Sequence, residues 1–181
     1  MSESITVCHG RPENVQGRSE AEIKTYDVLE QLGIFYERID HPAAMTMEDC
    51  QCADDAFGVP ACKNLFLRNS QKTKFYLLLM PGEKKFKTKD LSHQLGIARL
   101  SFAEEEYMAR YLGVHPGAAT VMGLINDAGR HVSLVIDQEV VDAGYIVCHP
   151  CANTSSIKVA AEDILEKLLP FTGHTPAFVN L

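Results

Sequence analysis

Lys63 and Asn64 precede an apolar run, Leu65-Phe66-Leu67, which is followed by the turn-forming residues Arg68-Asn69-Ser70. This pattern predicts a buried strand with Lys63 and Asn64 at the end where it emerges. An ammonium group there can hold a phosphate or an ester carbonyl as a point charge, and an amide supplies both a donor and an acceptor. The alternative is a strand-end lysine that is simply solvated.

A glycine-containing segment, Gly113-Val-His-Pro116-Gly117, lies later in the chain and is followed by Ala118-Ala-Thr120. Glycine has no Cβ and tolerates a positive φ, so the backbone here can come close to a ligand. Amide N–H groups aimed inward from this segment would form an oxyanion hole. The alternative is a tight turn between a helix and a strand.

His149 follows a predicted strand and precedes a proline in the segment Cys148-His-Pro-Cys-Ala-Asn153-Thr154. A histidine titrates near neutral pH, so it can either orient a ligand or transfer a proton. Asn153 and Thr154 would complete a polar wall beside it. Cys148 would shape a pocket or belong to the core.

In this order and at these separations, the three segments resemble the YbaK-like family of aminoacyl-tRNA editing domains, also called prolyl-tRNA-synthetase-associated domains. The nearest branch is that of the freestanding alanyl-tRNA(Pro) deacylases. The resemblance extends from about Ser19 to about Leu169 and includes Asp40-His-Pro-Ala43 after the first predicted strand. It therefore covers nearly the whole chain.

The resemblance implies a trans-editing hydrolase that deacylates mischarged alanyl-tRNA(Pro) and so protects translation fidelity. The implied catalytic residues are Lys63, Asn64, Gly113, Gly117 and His149. The implied substrate-binding residues are Pro116, Cys148, Asn153 and Thr154. We favour positioning over proton transfer for His149, because the resemblance does not point to an obligatory base.

Three other functions stay open at this point. A sister branch of the family would deacylate cysteinyl-tRNA(Pro) with the same motifs. A non-catalytic module would bind aminoacyl-tRNA or a synthetase without turnover. A zinc-binding regulator would use the cysteines and His149, but the spacings Cys50-x-Cys52 and Cys148-His-Pro-Cys151 are not the usual paired zinc ligands. We therefore expect no metal and no cofactor.

The charge of the chain is unevenly distributed. The net charge is −7, yet seven basic residues and a single acid lie between Arg68 and Lys89. Such a cluster predicts a local docking patch for a tRNA backbone or acceptor stem. Its predicted tRNA-contacting members are Arg68, Lys72, Lys74, Lys84, Lys85 and Lys87. The alternative is a solvated hairpin face whose lysines protect a sheet edge.

Length and composition favour one cytoplasmic domain. A chain of 181 residues with 46% hydrophobic residues can bury a single core. Neither an apolar run of transmembrane length nor a secretory signal pattern is present in the sequence. The expected partner is aminoacyl-tRNA at the tRNA(Pro) acceptor end, with prolyl-tRNA synthetase or an elongation factor as further candidates. We expect no membrane and no DNA partner.

The order of predicted elements indicates an α+β fold. Strands occur in runs with helices between them, which predicts a single domain with a central mixed, mainly antiparallel curved sheet flanked by helices. Ser19 is a predicted helix N-cap, and a later helix is predicted from Phe102 to Tyr111. The predicted domain organisation is an N-terminal arm (1–18), the editing domain (19–169) and an extended C-terminal tail (170–181).

Overall fold

The computed structural model describes residues 5–181. The strands are β1 (Cys8–His9), β2 (Tyr36–Asp40), β3 (Cys62–Arg68), β4 (Phe75–Pro81), β5 (Ser101–Phe102), β6 (Val132–Asp137), β7 (Tyr145–Cys148), β8 (Ser155–Ala160) and β9 (Ala177–Val179). The α-helices are α1 (Glu20–Gln31), α2 (Gln51–Phe57), α3 (Thr88–Leu95), α4 (Glu105–Tyr107), α5 (Gln138–Asp142), α6 (Ala161–Asp163) and α7 (Leu169–Thr172). Two π-helical turns (Met108–Leu112 and Ile164–Leu168) and a 3₁₀ helix (Val121–Asn126) complete the elements.

The strands form two sheets. The smaller sheet has the order β1-β2-β8-β7 and is antiparallel throughout. The larger sheet has the order β5-β3-β4-β6-β9, in which β4–β6 and β6–β9 are parallel pairs. The predicted α+β class, with mixed and mainly antiparallel strands flanked by helices, is confirmed, and the structure adds the division of the strands between two sheets.

The helix α1 begins where the sequence predicts. The Ser19 hydroxyl accepts a hydrogen bond from the Glu22 backbone N–H at 3.2 Å, which satisfies one of the free amides at the helix start. The Glu22 carboxylate accepts hydrogen bonds from the Arg18 guanidinium and from the Tyr26 hydroxyl. Tyr26 and Leu29 are fully buried and hold the apolar face of α1 against the main core.

The main core joins α1 to the inner faces of both sheets, and a second core fills the other side of the larger sheet. Alternation along β3 explains this division. Phe66 points into the main core and Leu67 into the second one, because successive side chains of a strand face opposite sides. A third, smaller cluster around Ile39, Phe57 and Val147 packs α2 against the smaller sheet.

The helix predicted over Phe102–Tyr111 is wrong at its start. Phe102 lies in β5, where it pairs with Leu67 of β3, and the helix begins only at Glu105. A long-range strand pairing therefore overrides the local helical pattern. The acidic residues Glu105 and Glu106 do lie in the first helical turn, as their favourable interaction with the helix dipole predicts.

Both ends of the described chain pack on the sheets. In the predicted arm, Cys8 and His9 pair with Arg38 and Glu37 of β2, while residues 1–4 lie outside the described part. In the predicted tail, β9 adds to the edge of the larger sheet beside β6. The domain boundaries given above stay a prediction.

Candidate active site

A cavity of about 440 Å³ lies where the ends of the two sheets meet. Its walls come from the start of β3, the end of β7, Ser156 of β8 and the loops that precede α2, α3 and the 3₁₀ helix. This volume falls in the usual range for small-ligand sites. Of the residues proposed from the sequence, Lys63, Asn64, Gly117, Cys148 and His149 line it.

Lys63 is half-buried in the cavity wall. Its Nζ donates a hydrogen bond to the Lys84 carbonyl oxygen at 2.6 Å, which fixes the direction of the side chain. Across residues 5–181, no carboxylate lies within salt-bridge distance of this ammonium. A half-buried cation without a counter-charge attracts an anion or a polarised carbonyl, because its charge is only partly screened by water.

Asn64 connects the cavity wall to the glycine segment. Its Oδ1 accepts a hydrogen bond from the Val121 backbone N–H at 3.1 Å. The neighbouring Thr120 hydroxyl donates to the His149 carbonyl oxygen at 2.6 Å. These two bonds hold together the three segments that the sequence singled out. Asn64 therefore positions the backbone of the site, in addition to lining the cavity.

Gly117 lies in the cavity wall with φ of 86°, in the left-handed region that favours glycine. A Cβ on this residue would lie 2.9 Å from Met45 Sδ and 3.3 Å from the Ala44 carbonyl oxygen. In the described part of the chain, the backbone N–H groups of Gly117 and Ala119 have no hydrogen-bond acceptor. Both residues line the cavity, which makes these amides the candidate oxyanion-hole donors of the site.

Gly113 occupies a different place from Gly117. It ends the π-helical turn Met108–Leu112 with φ of 66° and lies outside the cavity lining. A Cβ there would lie 2.8 Å from Asn126 Nδ2. The Asn126 side chain donates to the Leu112 carbonyl oxygen at 2.9 Å. This environment is typical of a helix end that is closed by a neighbouring side chain.

His149 presents a free nitrogen in the cavity. Its Nδ1 lies 2.8 Å from the Ser155 carbonyl oxygen, which can only accept, so Nδ1 carries the proton and Nε2 carries a lone pair. Among residues 5–181, Nε2 has no hydrogen-bond partner. Burial lowers the pKa of His149 below its ordinary value, and the nearby His41 ring lowers this pKa further. The neutral imidazole is therefore the form present at neutral pH.

The Ser156 hydroxyl links the His149 ring to the His41 ring. The ring centroids of the two histidines are 5.9 Å apart. Ser156 Oγ lies 2.8 Å from His41 Nε2 and 3.4 Å from His149 Nδ1, so one hydroxyl bridges both rings. His41 Nδ1 is bonded to the Pro42 carbonyl oxygen at 2.8 Å. No sequence motif indicated this bridge, because Ser156 lies within a strand and has no distinctive neighbours.

The remaining predicted substrate-binding residues divide in two groups. Cys148 is buried in the cavity wall. Asn153 lies outside the cavity lining, and its Nδ2 donates to the carbonyl oxygen of the lining residue Ala44 at 3.1 Å. Pro116 and Thr154 are exposed and lie outside the cavity lining. Asn153 thus holds the loop that carries Met45 against the glycine segment.

The cysteines show no sign of a metal centre. Within the described residues, no group of three or more histidine, cysteine or acidic side chains is arranged to hold a metal ion. Burial raises the pKa of Cys62 to about 11 and also raises the pKa of Cys148. Both thiols are therefore protonated at neutral pH, which suits small apolar wall residues and not nucleophiles.

Half of the predicted tRNA-contacting residues have acidic partners. Glu104 accepts hydrogen bonds from Arg68 at 2.8 Å and forms an ion pair with Lys72 at 2.9 Å. Lys84 pairs with Asp137 at 2.9 Å and with Glu139 at 2.7 Å. The other members, Lys74, Lys85 and Lys87, are exposed.

The members of the basic cluster lie at opposite ends of the β3–β4 hairpin. Lys72 and Lys74 belong to the turn between β3 and β4, whereas Lys63 is at the opposite end of β3. Seven strand residues at about 3.3 Å each separate these ends by roughly 20 Å. Lys85 and Lys87 flank Phe86, which lines the cavity. The loop from Lys84 to Lys87 therefore borders the candidate site, whereas the turn between β3 and β4 lies at the far end of the hairpin.

Apolar residues at the cavity mouth were missed by the sequence reasoning. Phe86 and Phe102 line the cavity and contact each other with ring centroids 6.1 Å apart. Met45 lines it as well and is 60% exposed. These residues come from separate loops and from an edge strand, so no local spacing brings them together. Their exposure as large apolar side chains is what marks them as candidate ligand-binding residues, and exposure can be read only from the structure.

The sequence of this chain matches a known family and known proteins. Residues 41–167 match the family described as the aminoacyl-tRNA editing domain. The chain is similar to the prolyl-tRNA editing protein ProX of Acetoanaerobium sticklandii, with 32% identity over 84% of this chain and 93% of that protein. It is also similar to prolyl-tRNA synthetase associated domain-containing protein 1 of Danio rerio, with 30% identity over 85% of this chain and 84% of that protein.

The fold has a solved counterpart as well. A crystal structure described as a candidate trans-editing enzyme for prolyl tRNA synthetase superposes with a TM-score of 0.65 at 16% identity. The match covers 90% of this chain and 98% of that one, and at this identity it supports the fold alone. The family match spans most of the chain and includes the cavity residues. The chain therefore belongs to the aminoacyl-tRNA editing domain family, as the resemblance predicted.

Proposed function

We propose that this protein is a trans-editing deacylase that hydrolyses mischarged alanyl-tRNA(Pro). The observation that carries the proposal is the half-buried Lys63 ammonium, which lacks a carboxylate partner within residues 5–181 and shares one cavity with His149 and Gly117. Membership of the editing family supplies the substrate class, an ester between an amino acid and the terminal ribose of a tRNA. Its relatives' names connect that chemistry with prolyl-tRNA.

The proposed chemistry needs no side-chain nucleophile. Water attacks the ester carbonyl carbon, the bond to the ribose oxygen breaks, and that oxygen leaves with a proton while alanine leaves as the free acid. In this proposal the amides of the lining residues Gly117 and Ala119 stabilise the oxyanion, and Lys63 adds a positive charge beside it. His149 Nε2 accepts a hydrogen bond from the substrate amino group, a ribose hydroxyl or the water.

The cavity walls suggest how alanine is selected. Beside the polar residues the walls combine small side chains, such as Ala61 and Ala119, with bulky ones, such as Leu65, which limit the space left for an amino-acid side chain. A synthetase site built for proline cannot strongly reject the smaller alanine, because the lost apolar contacts are worth only about 1–3 kcal/mol. A second pocket that admits alanine and excludes proline corrects this error. We assign that role to the present cavity.

The first experiment compares alanyl-tRNA(Pro), cysteinyl-tRNA(Pro), prolyl-tRNA(Pro) and alanyl-tRNA(Ala) at equal enzyme concentration. We expect selective hydrolysis of alanyl-tRNA(Pro). Faster loss of the cysteinyl ester would assign the protein to the sister activity. If none of the four esters is hydrolysed, the enzymatic proposal fails and a binding module replaces it.

The pH dependence of kcat/KM should reflect the lowered pKa of His149. Because burial lowers the pKa of His149, the imidazole stays neutral as the pH falls through about 6.5, where an exposed histidine would become charged. We expect kcat/KM to stay constant from neutral pH to below that value and then to fall as the ring takes up a proton. The pH profile of deacylation of pre-formed alanyl-tRNA(Pro) measures this.

The matched variant for this profile is His149→Gln, which keeps a polar side chain that does not titrate. It should lower the plateau rate and remove the acid limb. An unchanged acid limb in His149→Gln would show that a group other than His149 causes it.

The two parts of the basic cluster should contribute differently to tRNA binding. Lys85 flanks the cavity residue Phe86, whereas Lys74 is at the far end of the hairpin. We expect Lys85→Ala to weaken tRNA(Pro) binding and to reduce the slope of log affinity against log salt by about 0.7, the effect of one lost contact to a single-stranded phosphate. Lys74→Ala is the matched control and should leave both quantities unchanged. Equal effects in the two variants would contradict this division.

The partner of this chain is aminoacyl-tRNA. We propose that its specific form is the acceptor end of tRNA(Pro). We also propose that prolyl-tRNA synthetase or an elongation factor delivers this tRNA in the cytoplasm. The described residues contain no helix of the length and apolarity needed to cross a membrane.

A further inference from the structure

The cavity mouth carries an exposed aromatic ring that the chemistry above does not use. Phe102 is 58% exposed although it lines the cavity. Its ring lies against Phe86 at 6.1 Å between centroids and 72° between planes, so the two rings contact nearly at right angles. Backbone pairing of β5 with Leu67 and Arg68 of β3 fixes the position from which Phe102 projects. The ring therefore presents a large surface that is open to a ligand.

The neighbourhood of this ring has the composition of a site for single-stranded nucleic acid. Lys85 and Lys87 flank Phe86 in sequence and are exposed. The backbone of the same loop accepts the hydrogen bond from Lys63 Nζ. Aromatic rings on which bases stack, combined with cations that follow the phosphates, are the usual elements of such sites.

The substrate geometry selects which base would reach this ring. The ester is attached to the ribose of the terminal adenosine, and the adenine is attached to a nearby carbon of the same ribose. When the ester lies beside Lys63 and His149, the attached adenine must extend away from the reacting centre along a wall of the same cavity. Phe86 and Phe102 supply the aromatic part of that wall.

We propose that the terminal adenine of the tRNA stacks on Phe102, with Phe86 holding that ring in place. This inference rests on the proposed deacylase function and assigns the binding site for the base next to the ester. Phe102 then acts in binding, while Lys63, His149 and the Gly117 segment act on the ester.

The test uses two alanyl esters of an acceptor-stem minihelix, one ending in adenosine and one ending in an abasic ribose. The intact protein should favour the adenosine substrate in kcat/KM by about fivefold or more, the lower end of measured base-stacking effects. Phe102→Ala should bring the ratio of the two kcat/KM values close to one, chiefly through a higher KM for the adenosine substrate. Phe102→Tyr keeps the ring and should restore the preference.

Phe35→Ala is the matched control, because Phe35 is 89% exposed and lies outside this cavity. It should leave the preference unchanged. A Phe102→Ala variant that keeps the preference, or that loses activity equally on both substrates, would overturn the stacking assignment while the deacylase function stands. Failure of the unmodified protein to hydrolyse either ester would instead contradict the proposed function itself.

Discussion

Replacing Gly117 by alanine is expected to lower kcat/KM for alanyl-tRNA(Pro) by about a hundredfold, the effect of losing an oxyanion-hole donor. The residue has φ of 86°, and its new Cβ would lie 2.9 Å from Met45 Sδ and 3.3 Å from the Ala44 carbonyl oxygen. The methionine can move, but the carbonyl belongs to the backbone. The segment must therefore shift, and the Gly117 and Ala119 amides shift with it. Single-turnover deacylation measures the loss.

Gly96→Ala is the matched control for this substitution. Gly96 ends α3 with φ of 64°, and a Cβ there would meet no atom within 4 Å. It imposes a similar backbone strain of about 1 kcal/mol or more, away from the cavity. We expect a lower melting temperature and an unchanged rate. A folded Gly117→Ala protein with a rate within about threefold of the parent would exclude these amides from the reaction.

Replacing Lys63 by alanine is expected to lower deacylation at least about tenfold while the fold is kept, as expected for the loss of an electrostatic contact in the transition state. The ammonium has a carbonyl partner, Lys84 O, and no carboxylate within salt-bridge distance in the described chain. Its removal leaves no buried negative charge behind, so the cost to stability is small. Lys63→Met adds a variant that keeps most of the apolar stem.

Lys89→Ala provides the matched control, because it also removes one positive charge but from the exposed start of α3. It should keep the parental rate. Steady-state kinetics at two salt concentrations distinguish a half-buried charge from an exposed one. Lys63 variants should lose rate at both concentrations, because salt screens a half-buried charge only weakly. Parental activity in a folded Lys63→Met protein would leave Lys63 with a structural role only.

Much of the candidate site could be predicted from local sequence. Lys63 and Asn64 lie at the end of a strand whose apolar run is unmistakable, and His149 follows another strand. Gly117 has the positive φ that a glycine in a turn suggests. These features depend on neighbouring residues, and their ordered combination carried the family resemblance.

Gly113 illustrates the limit of that reasoning. Its sequence context is as suggestive as that of Gly117, and its φ is also positive. Only the tertiary structure places it against Asn126 and outside the cavity lining. A glycine that ends a helix and a glycine that faces a ligand need the same backbone freedom, so composition cannot separate them.

The sequence by itself determined the α+β class, the family and the residues whose chemistry suits an ester. The tertiary structure decided which charges are free and which apolar rings meet. Arg68 and Lys84 are paired by Glu104 and Asp137, and Phe86 meets Phe102 through a strand pairing that a helical pattern concealed. Strand and turn signals arise from adjacent residues, whereas ion pairs and cavity walls arise from residues distant in the chain, so they exist only after folding.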